Sequence, residues 1–140
     1  MMFSEPELEY LTTQRLGRLA TVQADGTPQV SPIGFRYNEE LGTIDIGGFY
    51  MSQTQKFRNV AHDGRVALVV DDVPSTDPWR VRCLEIRGMA EAVPDPSTPT
   101  PARGSDGSII RIHPRRIISF GLEQPDQEPH AMTSHNRDVA

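Results

Sequence analysis

The segment with the clearest chemical potential is residues 47–59, GGFYMSQTQKFRN. It places the end of a predicted strand, a loop rich in hydroxyl and amide side chains and the start of a predicted helix in succession. Lys56 and Arg58 fall early in that helix, where the partial positive charge of the N-terminus makes cations mildly unfavourable. Together with Ser52, Thr54 and free backbone N–H groups, they could bind a phosphate. The alternative is that both cations are solvated surface residues.

Two further features could contact a flat ligand. In QVSPIGF, residues 29–35, Pro32 and Gly34 lie in mid-strand, where they weaken a hydrogen-bonded ladder and let another group approach the backbone. That group could be a planar ring system, or the pair could mark a bulge at a barrel corner. Trp79, the only tryptophan, is predicted in a loop before a strand, as a lid, a stacking surface, a subunit contact or a core anchor.

Common catalytic and metal-binding patterns are missing from the sequence. It contains neither GxGxxG nor GxxxxGK[ST], which excludes a Rossmann fingerprint and a P-loop, and no serine lies in a GxSxG elbow. The four histidines have no metal-ligand spacing with one another or with Cys83, so no metal site is predicted. Cys83, the single cysteine, is predicted to be a small buried core residue. No catalytic residue is predicted.

The composition limits the possible partners. The chain has 140 residues and a formal net charge of −5, so it lacks the basic surface expected of a nucleic-acid-binding protein. No apolar run approaches the length of a membrane span, and residues 1–14 lack the apolar core of a signal peptide. A single cysteine fits a reducing compartment. We therefore expect a cytoplasmic protein of one domain, with no membrane or nucleic-acid partner.

The elements that would position these residues are mostly β-strands. Capping patterns predict two short helices, at residues 4–14 and from Ser52 to residue 62. Apolar alternation and turn residues predict six strands, at 15–22, 29–37, 43–48, 65–72, 83–93 and 109–120. The first three are expected to form a meander, and the last to bend at Pro114. Six strands with short turns suggest a small β-barrel, because closing the sheet removes exposed edges.

Two stretches are predicted to lack regular structure. Residues 94–108 contain four prolines and two glycines and are expected to form a loop. Residues 124–140 are polar and are expected to form a tail that is ordered only when something binds it. The sequence therefore predicts a domain at residues 1–123 and a polar tail at residues 124–140.

Five stretches match one protein family in order and spacing. They read RLGRLATVQADGTPQVSPIGFRYN, TIDIGG, KFRNVAHDGRVALVVDD, LEIRGMAEAV and IIRIHPRRIISFGL, and they cover most of residues 15–122. On these stretches the chain resembles the pyridoxamine 5′-phosphate oxidase-like split-barrel proteins, specifically their small actinobacterial branch that uses a deazaflavin. The resemblance implies a mainly β fold, a six-stranded split β-barrel of the FMN-binding type with two short helices. It also implies a homodimer with two equivalent cofactor sites between the subunits.

The resemblance further implies which residues bind the cofactor. Lys56 in the KFRN segment would hold the phosphate of the cofactor tail. The other residues expected to line the site are Arg58, Ser52, Thr54, Gln29, Val30, Ser31, Pro32 and Trp79. Some relatives carry a second basic residue two places before the lysine, where this chain has Thr54, so its hold on phosphate is expected to be weaker. Larger oxidases insert helical structure at the position of residues 94–108, so vitamin-B6 oxidation is not expected.

The implied function is an oxidoreductase that transfers a hydride between reduced coenzyme F420 and a small conjugated acceptor, such as a quinone, an enone or a tetrapyrrole. The cofactor performs the chemistry, while the protein positions the reactive carbon and excludes water. Three alternatives stay open: an FMN-dependent oxidoreductase of the same fold, a non-catalytic carrier or sensor of flavin or haem, and an interaction module with an empty cleft.

Dimerisation is also indicated by the residues themselves. The run VALVV and the exposed-looking Met89 and Phe49 suggest more apolar surface than one small barrel encloses. Asn136 and Arg137 in the tail could fold over the cleft of the partner subunit as a polar lid.

Overall fold

In the computed structural model of the protein, which describes residues 2–94 and 107–139, the first helix, α1, spans Glu5–Thr13. Ser4 caps this helix: its hydroxyl accepts a hydrogen bond from the N–H of Glu7, and the Glu7 carboxylate accepts one from the N–H of Ser4. This reciprocal pair satisfies backbone groups that a helix start leaves unpaired. The predicted helix at residues 4–14 is confirmed.

The strands form one antiparallel sheet. They are β1 (Gly17–Val22), β2 (Pro28–Ile33), β3 (Arg36–Asn38), β4 (Thr43–Ile46), β5 (Arg65–Thr76), β6 (Trp79–Val93), β7 (Ile109–Phe120) and β8 (His135–Asp138). The order in the sheet is β2, β1, β5, β6, β7, β4, β3, and β8 pairs with β7. Within the described part of the chain, β2 and β3 do not pair with each other, so the barrel is split rather than closed.

The predicted strand at residues 29–37 is two strands in the structure. β2 pairs with β1 as far as Ile33, and β3 begins to pair with β4 at Arg36. Gly34 and Phe35 lie between them, and the two strands occupy opposite ends of the sheet order. The predicted meander is therefore wrong, because the chain crosses from one edge of the sheet to the other at Gly34 instead of continuing in one ladder.

The sheet has eight strands, where the sequence predicts six. The break at Gly34 supplies one of the two additional strands, and β8, in the predicted tail, supplies the other. β8 pairs with β7 from His135, opposite Ser119, to Asp138, opposite Arg116. β4 pairs with β7 only as far as Ile112, so the backbone groups of β7 beyond that point are available to hydrogen-bond with β8. The expectation that the tail orders only on binding is therefore wrong for β8.

β7 bends near Pro114, as predicted. Pro114 lies opposite Gly88 and Arg116 lies opposite Arg87, so Arg115 is an extra residue in this strand. Proline has no N–H to donate to the ladder, and an extra residue bends a strand and increases its twist. A Cβ atom added at Gly88 would clash with the backbone carbonyl oxygen of His113 on β7. The close approach of the two strands at this bulge therefore requires glycine.

The hairpin of β5 and β6 extends well past its predicted ends. Its last pair is Thr76 with Trp79, so Trp79 is the first residue of a strand and not part of a loop before it. Polar contacts stabilise the extension: Arg82 donates two hydrogen bonds to Asp72, at 2.9 and 2.6 Å, and the Tyr10 hydroxyl donates one at 2.7 Å. The apolar alternation that predicted both strands ends before these residues, which is why the extension was missed.

The alternation predicted for β6 is confirmed. Leu84 and Ile86 are fully buried in the core, whereas Arg87 and Met89 are exposed on the outer face of the sheet. The predicted loop at residues 94–108 lies largely outside the described residues. Neither of the helices described has the length and apolar content to cross a membrane.

Candidate functional site

The predicted phosphate-binding segment folds as a 3₁₀ helix (Met51–Gln53) followed by α2 (Gln55–His62). Thr54 caps α2, because its hydroxyl accepts a hydrogen bond from the N–H of Phe57 at 3.2 Å. The same hydroxyl donates a hydrogen bond of 2.7 Å to the backbone carbonyl of Met51, the first residue of the 3₁₀ helix. The prediction of Ser52 as the cap is therefore wrong, since the 3₁₀ turn intervenes between Ser52 and the helix.

Lys56 and Arg58 differ in how far their charges are already satisfied. Arg58 donates to the backbone carbonyl of Gln53 at 2.8 Å and to Oε1 of Gln55 at 2.9 Å. Lys56 is half-buried, and its ammonium makes no hydrogen bond or ion pair with any of the described residues. An unpaired ammonium at the positive end of a helix favours an anion. The structure therefore singles out Lys56 within the predicted set.

Asn59 fastens α2 to strands β1 and β2. Its side chain is buried, and Nδ2 donates to Oγ1 of Thr21 at 3.0 Å and to Oε1 of Gln29 at 2.9 Å. Its Oδ1 accepts a hydrogen bond from Gln55 at 2.7 Å. The helix that carries Lys56 and the predicted site residue Gln29 are thus held as one unit. Sequence reasoning missed Asn59, although its position next to buried Val60 was a usable signal.

The four predicted site residues on β2 point to two faces of the sheet. Gln29 and Ser31 face inward, whereas Val30 and Pro32 are exposed on the outer face, as the alternation of a strand requires. The Oγ atom of Ser31 is buried and has no hydrogen-bond partner among the described residues. A buried hydroxyl without a partner costs free energy. A ligand or second subunit that supplied a partner would recover that cost.

Two exposed aromatic side chains precede the 3₁₀ helix. Phe49 is 69% exposed and Tyr50 is 57% exposed, so the predicted exposure of Phe49 is confirmed, as is that of Met89. Tyr50 adopts a left-handed backbone conformation with φ of 47°, which is uncommon for a bulky side chain. In sequence the two residues lie between β4 and the 3₁₀ helix, and their exposed rings are free to contact a planar ligand.

The structure does not bring Trp79 to Lys56 within one subunit. Trp79 is half-exposed at the end of the β5–β6 hairpin. On β1, α2 is held by Thr21, and the neighbouring Ala20 lies opposite Ala67 on β5, which in turn lies opposite Arg87 on β6. Arg87 therefore marks the level of α2 along β6. Trp79 lies eight residues from Arg87 along that strand, about 27 Å at ~3.4 Å per residue. A role for Trp79 at the cofactor would therefore require the partner subunit.

Cys83 is buried, and the burial raises the pKa of its thiol to about 11, with the carboxylates of Asp71 and Glu85 acting in the same direction. The thiol is therefore protonated at neutral pH and is a poor nucleophile. The prediction that Cys83 is a buried structural residue is confirmed.

A buried ion pair ties the end of the chain to α1. Glu7 is fully buried, and Arg137 on β8 donates to both of its carboxylate oxygens, at 3.0 and 2.5 Å. Glu123 and His135 lie close enough to Glu7 to suggest a metal cluster, but the Arg137 guanidinium already supplies the cation there. Because Arg137 binds Glu7 of its own chain, the prediction that Arg137 folds over the cleft of a partner subunit is wrong.

A groove of about 670 Å³ separates α1 from the crossover between β2 and β3. Four of its lining residues are apolar or aromatic and form its walls: Leu8, Leu11, Phe35 and Tyr37. Three charged residues also line it: Arg15, Arg36 and Glu39. Its volume lies in the range of ~300–1,000 Å³ that is typical of small-molecule sites. Sequence reasoning did not find this groove, because the single strand predicted at residues 29–37 does not show that the chain crosses beside α1 at Gly34.

Comparison with known families agrees with this geometry. The family described as pyridoxamine 5′-phosphate oxidase matches residues 4–121. The chain belongs to this family. The resemblance inferred from the five sequence stretches is therefore confirmed, and with it the mainly β split-barrel fold.

Two relatives of this chain indicate which type of reaction it catalyses. The 5a,11a-dehydrotetracycline/5a,11a-dehydrooxytetracycline reductase of Streptomyces rimosus subsp. rimosus is 49% identical over 123 residues, which cover 88% of this chain and 86% of the reductase. A solved F420 reductase is 31% identical, with a TM-score of 0.61, over 80% of this chain and 95% of its own. These relatives confirm the predicted deazaflavin-using actinobacterial branch. The chain is thus a hydride-transferring oxidoreductase with a flavin- or deazaflavin-type cofactor.

A third relative shares the fold alone. The structure of a heme binding protein from Mycobacterium smegmatis has a TM-score of 0.64 and covers 96% of this chain and 59% of its own, but it is 17% identical. The split barrel is therefore common to proteins with different ligands, so the ligand must be inferred from side chains.

Proposed function

We propose that the protein reduces a polycyclic enone with a hydride from reduced coenzyme F420, in a homodimer whose two sites lie between the subunits. The observation that carries this proposal is Lys56, a half-buried ammonium without a partner among the described residues, at the positive end of α2. It is also the only lysine in the chain. The polycyclic substrate class is supported by the 49% identity to the dehydrotetracycline reductase.

The residues at the start of α2 fit a phosphate. The backbone N–H groups of Gln55 and Lys56 are at the first two positions of the helix, where an α-helix has no internal acceptor for them. Thr54 would contribute indirectly, since its hydroxyl and N–H already bond to Met51. Arg58 could join the phosphate by releasing its contact with Gln53. Ser52 lies on the exposed preceding turn.

The ring of the cofactor would lie along β2. Gln29 and Ser31 would face it from the inner side, and the orphaned hydroxyl of Ser31 would gain a partner. Val30 and Pro32 would contact it through the backbone or across the subunit boundary. When bound, a reduced deazaflavin supplies a hydride to the β-carbon of an enone, and a solvent proton completes the reduction. The chain itself positions the two reactants and excludes water.

The outer face of the sheet supports the dimer. Val30 is 66% exposed and shares a cross-strand row with Ala20 and Ala67, so an apolar row crosses β2, β1 and β5. Ala20 and Ala67 are half-buried, and covering the exposed Val30 with a second subunit would remove its apolar surface from water. Light scattering should give twice the chain mass of 15.6 kDa. A stable monomer would contradict a site shared between subunits, and with it any role for Trp79 at the cofactor.

We also propose a cytoplasmic location, supported by the free thiol of Cys83. FMN is the second candidate cofactor, because its phosphate would use the same lysine. A non-catalytic carrier or sensor would bind a cofactor without turnover. Titration of the purified protein with F420 and with FMN, followed by assay of enone reduction, separates these functions.

The decisive variant is Lys56→Ala. Loss of one charge-assisted hydrogen bond, roughly 1.5–3 kcal/mol, should weaken F420 binding about 10- to 150-fold at ~1.4 kcal/mol per decade. The melting temperature should stay at the parent value, since Lys56 lies beside the core and not in it. Lys56→Arg should recover part of the affinity. Arg115→Ala, which removes an exposed cation outside the proposed site, is the control and should bind F420 like the parent.

Phe57→Ala completes the test, because the ring packs against the core and its loss should lower the melting temperature without removing the anion site. If Lys56→Ala binds both F420 and FMN as tightly as the parent, the phosphate lies elsewhere and the assignment is wrong.

A further inference from the structure

We propose that the groove between α1 and the β2–β3 crossover binds the polycyclic substrate, a placement that rests on the function proposed above. One wall is the apolar side of α1 with Leu8 and Leu11, and the other is Phe35 and Tyr37. The Tyr37 ring packs edge-on against buried Phe3, with centroids 5.6 Å apart, so this wall is held in place. Two facing apolar walls with one fixed aromatic suit a flat fused-ring molecule.

The charges lining the groove select an acidic ligand. Arg15 and Arg36 line it against the single carboxylate of Glu39, which leaves one net positive charge. Arg15 is exposed and forms no ion pair with any described residue. Arg36 lies 3.6 Å from Asp45, but Asp45 already accepts two closer hydrogen bonds from another arginine. Both guanidiniums can therefore donate to an ionised enol or phenol of the substrate.

The groove adjoins the strand assigned to the cofactor. Gly34, which lines the groove, directly follows Ile33, the last residue of β2. Pro32, a residue proposed to lie at the cofactor ring, is two residues away, about 7 Å along an extended strand. A molecule in the groove is thus adjacent to the proposed ring position, as transfer of a hydride between them requires. A groove that lay across the barrel from β2 would not meet this condition.

Gly34 offers a direct way to block the groove. A Cβ atom added there would meet only the carbonyl oxygen of Arg15, at 3.9 Å, and Gly34 does not adopt a left-handed conformation. Gly34→Leu should therefore fill the groove without straining the backbone. Glu9→Leu adds the same side chain to α1 outside the groove and is the matched control. Arg15→Gln tests the charge, with Arg115→Gln as its control.

The experiment uses oxytetracycline as the probe and measures its binding by fluorescence, without cofactor and with saturating oxidised F420. F420 binding and melting temperature are measured for every variant. We expect Gly34→Leu to weaken probe binding at least tenfold and Arg15→Gln to weaken it about tenfold, while F420 affinity stays at the parent value. Glu9→Leu and Arg115→Gln should bind the probe like the parent.

The outcomes separate the two proposals. A folded Gly34→Leu that binds the probe like the parent overturns the groove assignment, even if F420 binding is as proposed. If Gly34→Leu does not fold, Arg15→Gln decides, and unchanged probe affinity overturns the assignment. A parent protein that binds the probe in the groove but does not bind F420 overturns the proposed cofactor and leaves the groove assignment standing. No probe binding by the parent under either condition overturns the groove assignment.

Discussion

Replacing Arg137 with methionine would leave the carboxylate of Glu7 buried without its counterion. Glu7 is fully buried, and its remaining hydrogen-bond donors would be the Ser119 hydroxyl and the N–H of Ser4. Removing one partner of a buried ion pair typically costs about 3–5 kcal/mol. Because Arg137 is partly accessible to water, we expect the lower end, about 3 kcal/mol at pH 7. For a chain of this size that corresponds to a melting temperature lower by about 6–12 °C.

The pH dependence identifies the cause of that loss. Burial by itself would raise the pKa of Glu7, but the hydrogen bonds from Arg137, Ser4 and Ser119 hold this pKa below its ordinary value. In the parent, the carboxylate therefore contributes stability that is fully present above the unfolded pKa of about 4.3 and is lost as the pH falls through the lower folded value. In Arg137→Met only the hydrogen bonds from Ser4 and Ser119 still oppose the effect of burial, so the pKa of Glu7 rises relative to the parent, and protonation of the carboxylate reduces the destabilisation as the pH falls. The deficit should be largest at pH 7 and shrink toward pH 4.

The assay is urea unfolding of parent and variant at several pH values between 4 and 7, with the midpoint and the slope fitted separately. Arg116→Met is the control, because Arg116 also ties β8 to the sheet through Asp138, but that pair is exposed. It should cost only about 0–1 kcal/mol. Glu7→Gln in the Arg137→Met background should recover part of the loss, since no buried charge remains. A deficit that is the same at pH 4 and pH 7 would refute the electrostatic argument and assign the effect to lost packing of β8.

Two other variants and one chemical modification test the remaining structural arguments. Asn59→Ala should destabilise the protein by about 2 kcal/mol, because the side-chain oxygens of Gln29 and Thr21 lose their shared hydrogen-bond donor. It should also weaken F420 binding. Thermal unfolding measures the first effect and titration with F420 measures the second. Gly88→Ala should lower the melting temperature, because the added methyl would clash with the backbone of β7. Native Cys83 should resist alkylation at pH 8 and react once the protein is unfolded, since burial raises its pKa to about 11; fast modification of the folded protein would contradict this.

Local patterns predicted the elements that carry a strong period. The capping box at Ser4, the alternation from Leu84 to Glu91 and the bend at Pro114 each have a physical cause within a few residues, and each is present in the structure. The split of the strand at Gly34 has its cause elsewhere. It depends on which edge of the sheet β2 and β3 pair with. Pro32 and Gly34 indicate a weakened ladder at this point, but hydrophobic alternation continues through them and does not show that the chain changes edges.

The candidate site shows the same division. Lys56 and Arg58 stand out in the sequence because cations in the first turn of a helix are themselves a local anomaly. The network of Asn59 with Thr21 and Gln29, and the groove beside Gly34, depend on contacts between segments far apart in sequence. The pairing of Arg137 with Glu7 lies beyond local reasoning for the same reason, since 130 residues separate them.

That separation also sets an order of events during synthesis. At roughly 5–20 residues per second, a ribosome makes Arg137 about 7–26 s after Glu7. Until then, docking α1 in its native position would bury a carboxylate without a counterion, which is costly enough to keep the helix in water. The edge of β7 that later receives β8 is unpaired from the synthesis of β7 until that of β8 and is then open to other chains. A chaperone that binds nascent chains would therefore bind the unpaired edge of β7 and the undocked α1, before β8 pairs with β7 and Arg137 reaches Glu7.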